Sequence, residues 1–194
     1  YYSGRFGTDA LAGFTAGLRI EQLALLPAVG LNTACIALVG QNMGAMKYDR
    51  AWQSFLMTVL FGTIILNLGA LFIFFFAQTL MGLIAFGMAG SNPAVIDYGT
   101  TYLRYISFEY AALCFIMLGG GFLQAIKRPI ISTLITIPRI CIVPFFVFPF
   151  FAFTLDLGFA GIWIAVLCSS FFFAVVTMAA VFFYKTKLLK PTEA

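Results

Sequence analysis

A run of apolar residues near the start of the chain is long enough to cross a lipid bilayer. Between Leu23 and Val39 the only strongly polar side chains are Asn32 and Thr33. A membrane-spanning helix needs roughly 20 predominantly apolar residues, and residues 19–50 supply them before ending in a basic loop. Similar apolar runs follow along the chain, so we predict an all-α, polytopic helical bundle in a membrane.

The composition supports a membrane protein and argues against other classes. Hydrophobic residues make up 62% of the chain and charged residues 9%, against ~45–50% and ~25% in globular domains. The net charge of +4 does not indicate nucleic-acid binding, because the basic residues lie at the ends of apolar runs and not along one face. The chain has no histidine and its four cysteines form no short-spaced pair, so we predict no metal site and no cofactor.

No pattern in the sequence indicates an enzyme. There is no phosphate-binding glycine loop of the G-x-x-x-x-G-K type, and no position supports a nucleophile with a base and oxyanion donors. We therefore predict that the protein is not an enzyme and that this chain has no ATP-binding motif to drive transport.

Five membrane spans are predicted, with boundaries where glycine, proline or charged residues interrupt the apolar runs. Residues 79–92 are apolar but short and glycine-rich, so we expect them to form an interfacial loop closed by Asn92 and Pro93. The predicted spans are residues 12–42, 52–78, 94–126, 130–153 and 159–184.

Two of these spans contain prolines that disturb a helix. Pro27 removes one backbone donor, so we expect the first span to be kinked or locally opened near the middle of the membrane. Pro138, with two further prolines in the same span, predicts a distorted fourth helix. Both are interpreted as helix kinks that permit movement, and not as binding residues.

The basic residues predict the orientation of the chain. They cluster after the first, third and fifth spans, so the positive-inside rule places the amino end outside and the carboxyl end in the cytoplasm. An outside start without Met or a signal sequence leads us to expect a further helix upstream and hence a fragment of a longer protein. The basic residues that predict this orientation are Lys47, Arg50, Lys127, Arg128, Lys185, Lys187 and Lys190.

Two segments carry a family resemblance. Residues 17–51 read GLRIEQLALLPAVGLNTACIALVGQNMGAMKYDRA and closely resemble the start of the carboxyl-terminal lobe of multidrug and toxic compound extrusion (MATE) transporters. Residues 102–129 read YLRYISFEYAALCFIMLGGGFLQAIKRP and are similar to the tenth helix of that family with its basic turn. The resemblance covers residues 11–185 and implies helices eight to twelve of a twelve-helix, two-lobe transporter, within a carboxyl-terminal lobe that spans residues 1–194.

The resemblance also implies a function. It implies secondary active efflux of organic, often cationic, drugs or toxins in exchange for protons or sodium ions, across the bacterial inner membrane. The implied partners are membrane lipid, small organic substrates and the missing amino-terminal lobe. Two alternatives stay open: a lipid-linked oligosaccharide flippase of the same superfamily, and a five-helix structural membrane subunit.

Two acidic residues inside the spans are candidates for cation coupling, because an ionisable group in a membrane is by default functional. Glu21 lies about ten residues into the first span, roughly 15 Å of helix. It would either exchange a cation or form an ion pair with Arg139 or Arg104. Glu109 would pair with Arg104 or Arg19, or take part in transport.

The resemblance is incomplete at this point of the chain. Some members of the family place a coupling acid on the tenth helix at a position that corresponds to Ala112, three residues after Glu109. This departure leaves open coupling through an acid of the missing lobe.

Three uncharged residues are candidates for a substrate cavity. Asn32 and Thr33 offer hydrogen bonds inside the first span, and Tyr105 offers an aromatic face to an organic cation. The alternatives are hydrogen bonds between helices for the first two and an interfacial aromatic belt for the tyrosine.

Overall fold

The computed structural model describes the backbone of residues 7–88, 92–147 and 158–189, and the side chains of residues 7–84, 92–147 and 161–186. All regular structure within these residues is helical, which confirms the predicted fold class. Five segments among the described residues are long and apolar enough to cross a membrane. The elements are α1 (Thr8–Gly44), α2 (Tyr48–Met88), α3 (Pro93–Ala125), α4 (Pro129–Ile142), a π-helical segment (Val143–Val147) and α5 (Gly158–Leu189).

The second span is longer than predicted. The expected interfacial loop at residues 79–92 is wrong over its first part, because α2 continues as a helix to Met88. A glycine such as Gly82 weakens a helix by only about 1 kcal/mol relative to alanine. Packing offsets this cost, since Met81 is fully buried and its side chain lies against Gly99 of α3.

The prolines act differently in the two spans that contain them. The predicted distortion of the fourth span is confirmed after Ile142, where α4 continues as the π-helical segment. A kink at Pro138 itself stays a prediction, because α4 runs through that residue. The predicted local opening at Pro27 is wrong, since α1 runs through this residue without interruption. Pro27 is exposed, so its missing backbone donor disturbs no contact between helices. A kink at Pro27 stays a prediction. The end of the predicted fourth span, residues 148–153, lies outside the described residues.

Helix α3 lies at the centre of the bundle and packs against α1, α2, α4 and α5. It runs in the same direction as α1. Near their starts the Asn92 side-chain amide donates to Asp9 Oδ1 at 3.2 Å, and further along Cys35 Sγ lies 3.8 Å from the Leu118 carbonyl oxygen. Asn92 also accepts a hydrogen bond from the first turn of α3, which makes it the N-cap of that helix.

The glycine run 119–121 lets α3 approach three other helices closely. A Cβ on the first glycine would lie 2.6 Å from Thr177 of α5, and one on the second would lie 2.9 Å from Ser132 of α4. A Cβ on the third would overlap the Asn32 side chain of α1. Larger residues would push these helices apart, so the run sets the spacing of the bundle.

The basic ends of the helices meet at one end of the bundle. Lys185 Nζ lies 4.1 Å from the centroid of the Trp52 ring, and the Arg128 guanidinium carbon lies 6.0 Å from the centroid of the Tyr184 ring. These contacts bring together the start of α2, the turn between α3 and α4, and the end of α5. The loops that the charge pattern assigns to one side of the membrane therefore lie at one end of the molecule.

Candidate functional site

A buried carboxylate joins three helices in the interior of the bundle. Glu109 of α3 is 4% exposed. Its Oε1 lies 2.5 Å from Arg139 Nη2 of α4 and accepts a hydrogen bond of 2.5 Å from Ser170 Oγ of α5. Arg139 Nη2 also donates to Ser170 Oγ at 3.1 Å. The three side chains form a closed triangle, and the otherwise peripheral α4 reaches the interior through Arg139.

The second carboxylate is held by a tyrosine and not by an arginine. The Tyr102 hydroxyl of α3 donates a hydrogen bond to Glu21 of α1. The Tyr102 ring is fixed by edge contact with Phe14, at a centroid distance of 5.1 Å, and by Trp163, at 4.5 Å. This ring occupies the place where a Cβ on Gly17 would lie. Glycine at that position therefore allows the tyrosine to pack on α1 and reach Glu21 one turn later.

The two carboxylates belong to one cluster. Tyr102 and Glu109 are seven residues apart on α3, so they lie on one face of the helix about 10 Å apart along its axis. Glu21 interacts electrostatically with both Glu109 and Arg139. We call Glu21, Tyr102, Glu109, Arg139 and Ser170 the carboxylate cluster.

Tyr110 adds a further polar group beside this cluster. It is 1% exposed and interacts electrostatically with Glu21 and Glu109. Its hydroxyl forms no hydrogen bond within the part of the chain that the structure describes. A buried hydroxyl without a partner destabilises a protein by about 1–3 kcal/mol, so this oxygen is suited to bind a ligand of the cluster.

The charges of the cluster determine what it can bind. The cluster contains two carboxylates and one guanidinium, and the low dielectric of a membrane interior makes any uncompensated charge costly. One further positive charge, from a proton or a small cation, would neutralise the cluster. With both acids ionised, the cluster therefore carries one uncompensated negative charge.

Two of the predicted charged residues lie outside the cluster. Arg19 and Arg104 are exposed, and neither forms an ion pair with any residue that the structure describes. The predicted local pair between Arg104 and Glu109 does not form, because residues five apart on a helix point to different sides. Glu109 takes Arg139 as its partner instead.

The uncharged candidates are placed as follows. Asn32 lies against the glycine run of α3, and its Oδ1 is buried without a hydrogen-bond partner in the described part of the chain. Thr33 is exposed and donates to the Val29 carbonyl oxygen of its own helix at 3.0 Å. Tyr105 is half-buried and packs against the core. A role in substrate binding stays a prediction for all three.

Sequence reasoning missed two members of the cluster. Ser170 is fully buried, and its only signal is that it interrupts an otherwise apolar span together with Ser169. Tyr102 lies three residues before Tyr105 in a stretch rich in tyrosine, and that pattern does not predict a hydrogen bond to Glu21. The signal for Tyr102 is its spacing of seven residues from Glu109, which puts both on one helix face.

Comparison with known proteins identifies the relatives of this chain. The MatE family model matches residues 1–150. A protein of Shewanella oneidensis named as an FAD transporter is 28% identical over 132 residues, which is 68% of this chain and 28% of that protein.

Solved structures show the same fold. A MATE structure in a bent conformation superposes with a TM-score of 0.88 and 20% identity, over 100% of this chain and 42% of that protein. A MOP superfamily transporter from Pyrococcus furiosus, described as having a binding pocket of reverse polarity, has a TM-score of 0.86 and 23% identity over 95% of this chain and 40% of that protein.

The chain spans less than half the length of each of these relatives. Its helices, their order and their packing agree with those of the solved transporters, and the family model covers most of its residues. The chain therefore belongs to the MatE family of multi-pass membrane transporters.

Proposed function

We propose that this chain is the carboxyl-terminal lobe of a secondary active transporter that expels organic compounds in exchange for protons or sodium ions. The observation that carries the proposal is the carboxylate cluster. Its two acids, Glu21 and Glu109, lie inside membrane-spanning helices and have one guanidinium between them. In such surroundings an acid without full charge compensation is a site for a coupling cation.

The position of the cluster supports coupling to a movement of helices. Its residues lie on α1, α3, α4 and α5, so a change in its charge alters contacts among four elements at once. A cation that binds one arrangement of these helices more tightly than another shifts the populations of the two arrangements. The substrate would bind in the cavity between this lobe and the other one, near the middle of the membrane.

A second candidate concerns the charge of the substrate. Arg19 is an exposed cation within a membrane span and forms no ion pair with any described residue. Such a group favours an anionic organic substrate with phosphate groups. The similarity to the FAD transporter of Shewanella oneidensis supports a dinucleotide of that chemical class.

Replacing Glu21 by glutamine tests the coupling role. Glutamine can still accept the Tyr102 hydrogen bond, so we expect normal membrane insertion and stability. Gradient-driven transport should fall by about tenfold, which corresponds to a coupling free energy of ~1.4 kcal/mol. The measurement is uptake into proteoliposomes that contain the full-length protein, under an imposed pH or sodium gradient.

The matched control is Asp97→Asn, which removes an exposed carboxylate from α3 and should leave transport unchanged.

Using ethidium and FAD as separate probes distinguishes the two substrate classes. Transport of ethidium alone supports an organic cation, and transport of FAD that weakens in Arg19→Gln supports the dinucleotide. A five-helix structural subunit would transport neither probe, and unchanged coupling in Glu21→Gln would remove this acid from the mechanism.

The proposed orientation places the carboxyl end of the chain in the cytoplasm of a bacterial cell. It is supported by the basic residues at one end of the bundle, including Arg128 and Lys185. A green fluorescent protein fused to the carboxyl end should fluoresce, because it folds in the cytoplasm. An alkaline phosphatase fused at the same point should be inactive, and the reverse pair of results would contradict the orientation.

A further inference from the structure

A groove of about 650 Å³ lies between α1 and α2, apart from the carboxylate cluster. Its volume falls in the range of ~300–1,000 Å³ that is typical of small-molecule sites. The groove has a polar end, formed by Asn42, Arg50, Gln53 and Ser54. The rest of its lining is mainly apolar.

The groove as a whole is about as long as one membrane leaflet is thick. Along α1 it runs from Asn42 back to Leu31, and along α2 from Ser54 to Ile65. Each wall is about 16 Å long at 1.5 Å per residue, and half of a hydrocarbon core of ~30 Å is ~15 Å. The groove therefore reaches from the membrane interface to about the middle of the bilayer.

The walls of the groove are open to the surroundings of the bundle. Leu38, Phe61 and Ile65 are all more than two-fifths exposed, so no side chain that the structure describes covers them fully. A hydrogen bond of 3.2 Å from Asn42 Nδ2 to Ser54 Oγ joins the two helices at the polar end. The mouth of the groove is thus built by a specific contact and is not a gap between loosely placed helices.

The polar end carries a cation without a counter-ion. Arg50 is exposed and forms no ion pair with any residue that the structure describes. It lies at the basic end of the bundle, three residues after Lys47. Basic pockets between membrane helices on the cytoplasmic side bind anionic lipid headgroups, and a guanidinium pairs well with phosphate oxygens.

We propose that this groove binds an anionic phospholipid, with its phosphate at Arg50 and one acyl chain along the walls formed by α1 and α2. Charge complementarity at one end and a length of one leaflet both fit a lipid. A protein helix fits less well, because it would cover the full membrane thickness and would bury Arg50 without an acceptor. The lipid site is independent of the coupling role proposed above.

The test uses the delipidated full-length protein and native mass spectrometry. Phosphatidylglycerol and phosphatidylethanolamine with the same acyl chains are added separately, and the fraction of protein that retains a lipid is measured. Phosphatidylglycerol should be retained more strongly. Arg50→Gln should reduce its retention by about fivefold, the effect of one basic residue near an anionic surface, and Leu38→Trp should reduce retention by filling the groove.

The matched control is Arg128→Gln, which removes the same charge from the same end of the bundle but outside the groove. It should leave lipid retention unchanged, and Arg50→Lys should restore part of it. Equal losses in Arg50→Gln and Arg128→Gln would show non-specific attraction to a basic surface and overturn the proposal. Equal retention of both lipids would overturn it as well. A cross-link from Leu38→Cys to a helix of the full-length chain other than α1 and α2 would also overturn it.

Discussion

Replacing Glu109 by glutamine is expected to destabilise the transporter and to abolish its gradient-driven transport. The change removes the counter-ion of Arg139, whose side chain is only 22% exposed. Breaking a fully buried ion pair costs about 3–5 kcal/mol, and the partial exposure of the arginine lowers this to about 2 kcal/mol. Thermal unfolding of the purified full-length protein and uptake into proteoliposomes measure the two effects.

A double variant separates the structural role of Glu109 from its coupling role. Glu109→Gln combined with Arg139→Gln removes both charges, so stability should largely return. Gradient-driven transport should not return, because the acid proposed to bind the cation is still absent. Ser170→Ala serves as a milder control, since it removes one hydrogen bond worth about 1 kcal/mol and keeps both charges. Restored transport in the double variant would mean that the ion pair is only structural.

Replacing Gly17 by alanine is expected to break the contact between Tyr102 and Glu21. The added Cβ would overlap the Tyr102 ring, which is buried between Phe14 and Trp163 and has no room to move aside. Overpacking of this kind destabilises a protein by about 1–3 kcal/mol. Thermal unfolding should show the loss, and gradient-driven transport should fall with it because Glu21 loses its hydrogen-bond donor.

Gly30→Ala is the matched control for this variant. The residue lies in the same helix, and a Cβ there meets no atom within 4 Å. Because alanine favours a helix over glycine by about 1 kcal/mol, this change should leave the protein unchanged or slightly more stable. If Gly30→Ala lost as much stability as Gly17→Ala, the loss in Gly17→Ala could not be assigned to the tyrosine contact.

Much of the fold could be predicted from sequence, because the signals are local. Apolar runs of membrane length predict the spans, and the Asn92–Pro93 pair predicts the start of α3. The extension of α2 to Met88 could not be predicted in this way. It depends on the packing of Met81 against α3, and such a contact between distant residues outweighs a local preference for a turn.

The charged residues of the candidate site could be predicted from the sequence, but the contacts between them could not. Glu21, Glu109 and Arg139 are conspicuous because charged side chains are rare in membrane spans. The choice of Arg139 as the partner of Glu109 depends on how α3 and α4 are rotated toward each other, which the sequence pattern does not determine. Ser170 was missed for the same reason, since it becomes important only where α5 meets these two helices.

Displacement of the coupling cation by substrate tests most directly whether the carboxylate cluster couples transport to a cation. The full-length protein is loaded in detergent with protons or with radioactive sodium, and the release of either cation is measured when the transported compound is added. We predict release from the wild-type protein and at least tenfold less from the variant with both Glu21→Gln and Glu109→Gln, the size of a coupling free energy of ~1.4 kcal/mol. Undiminished release from the double variant would contradict a coupling role of Glu21 and Glu109 and would place coupling outside the carboxylate cluster.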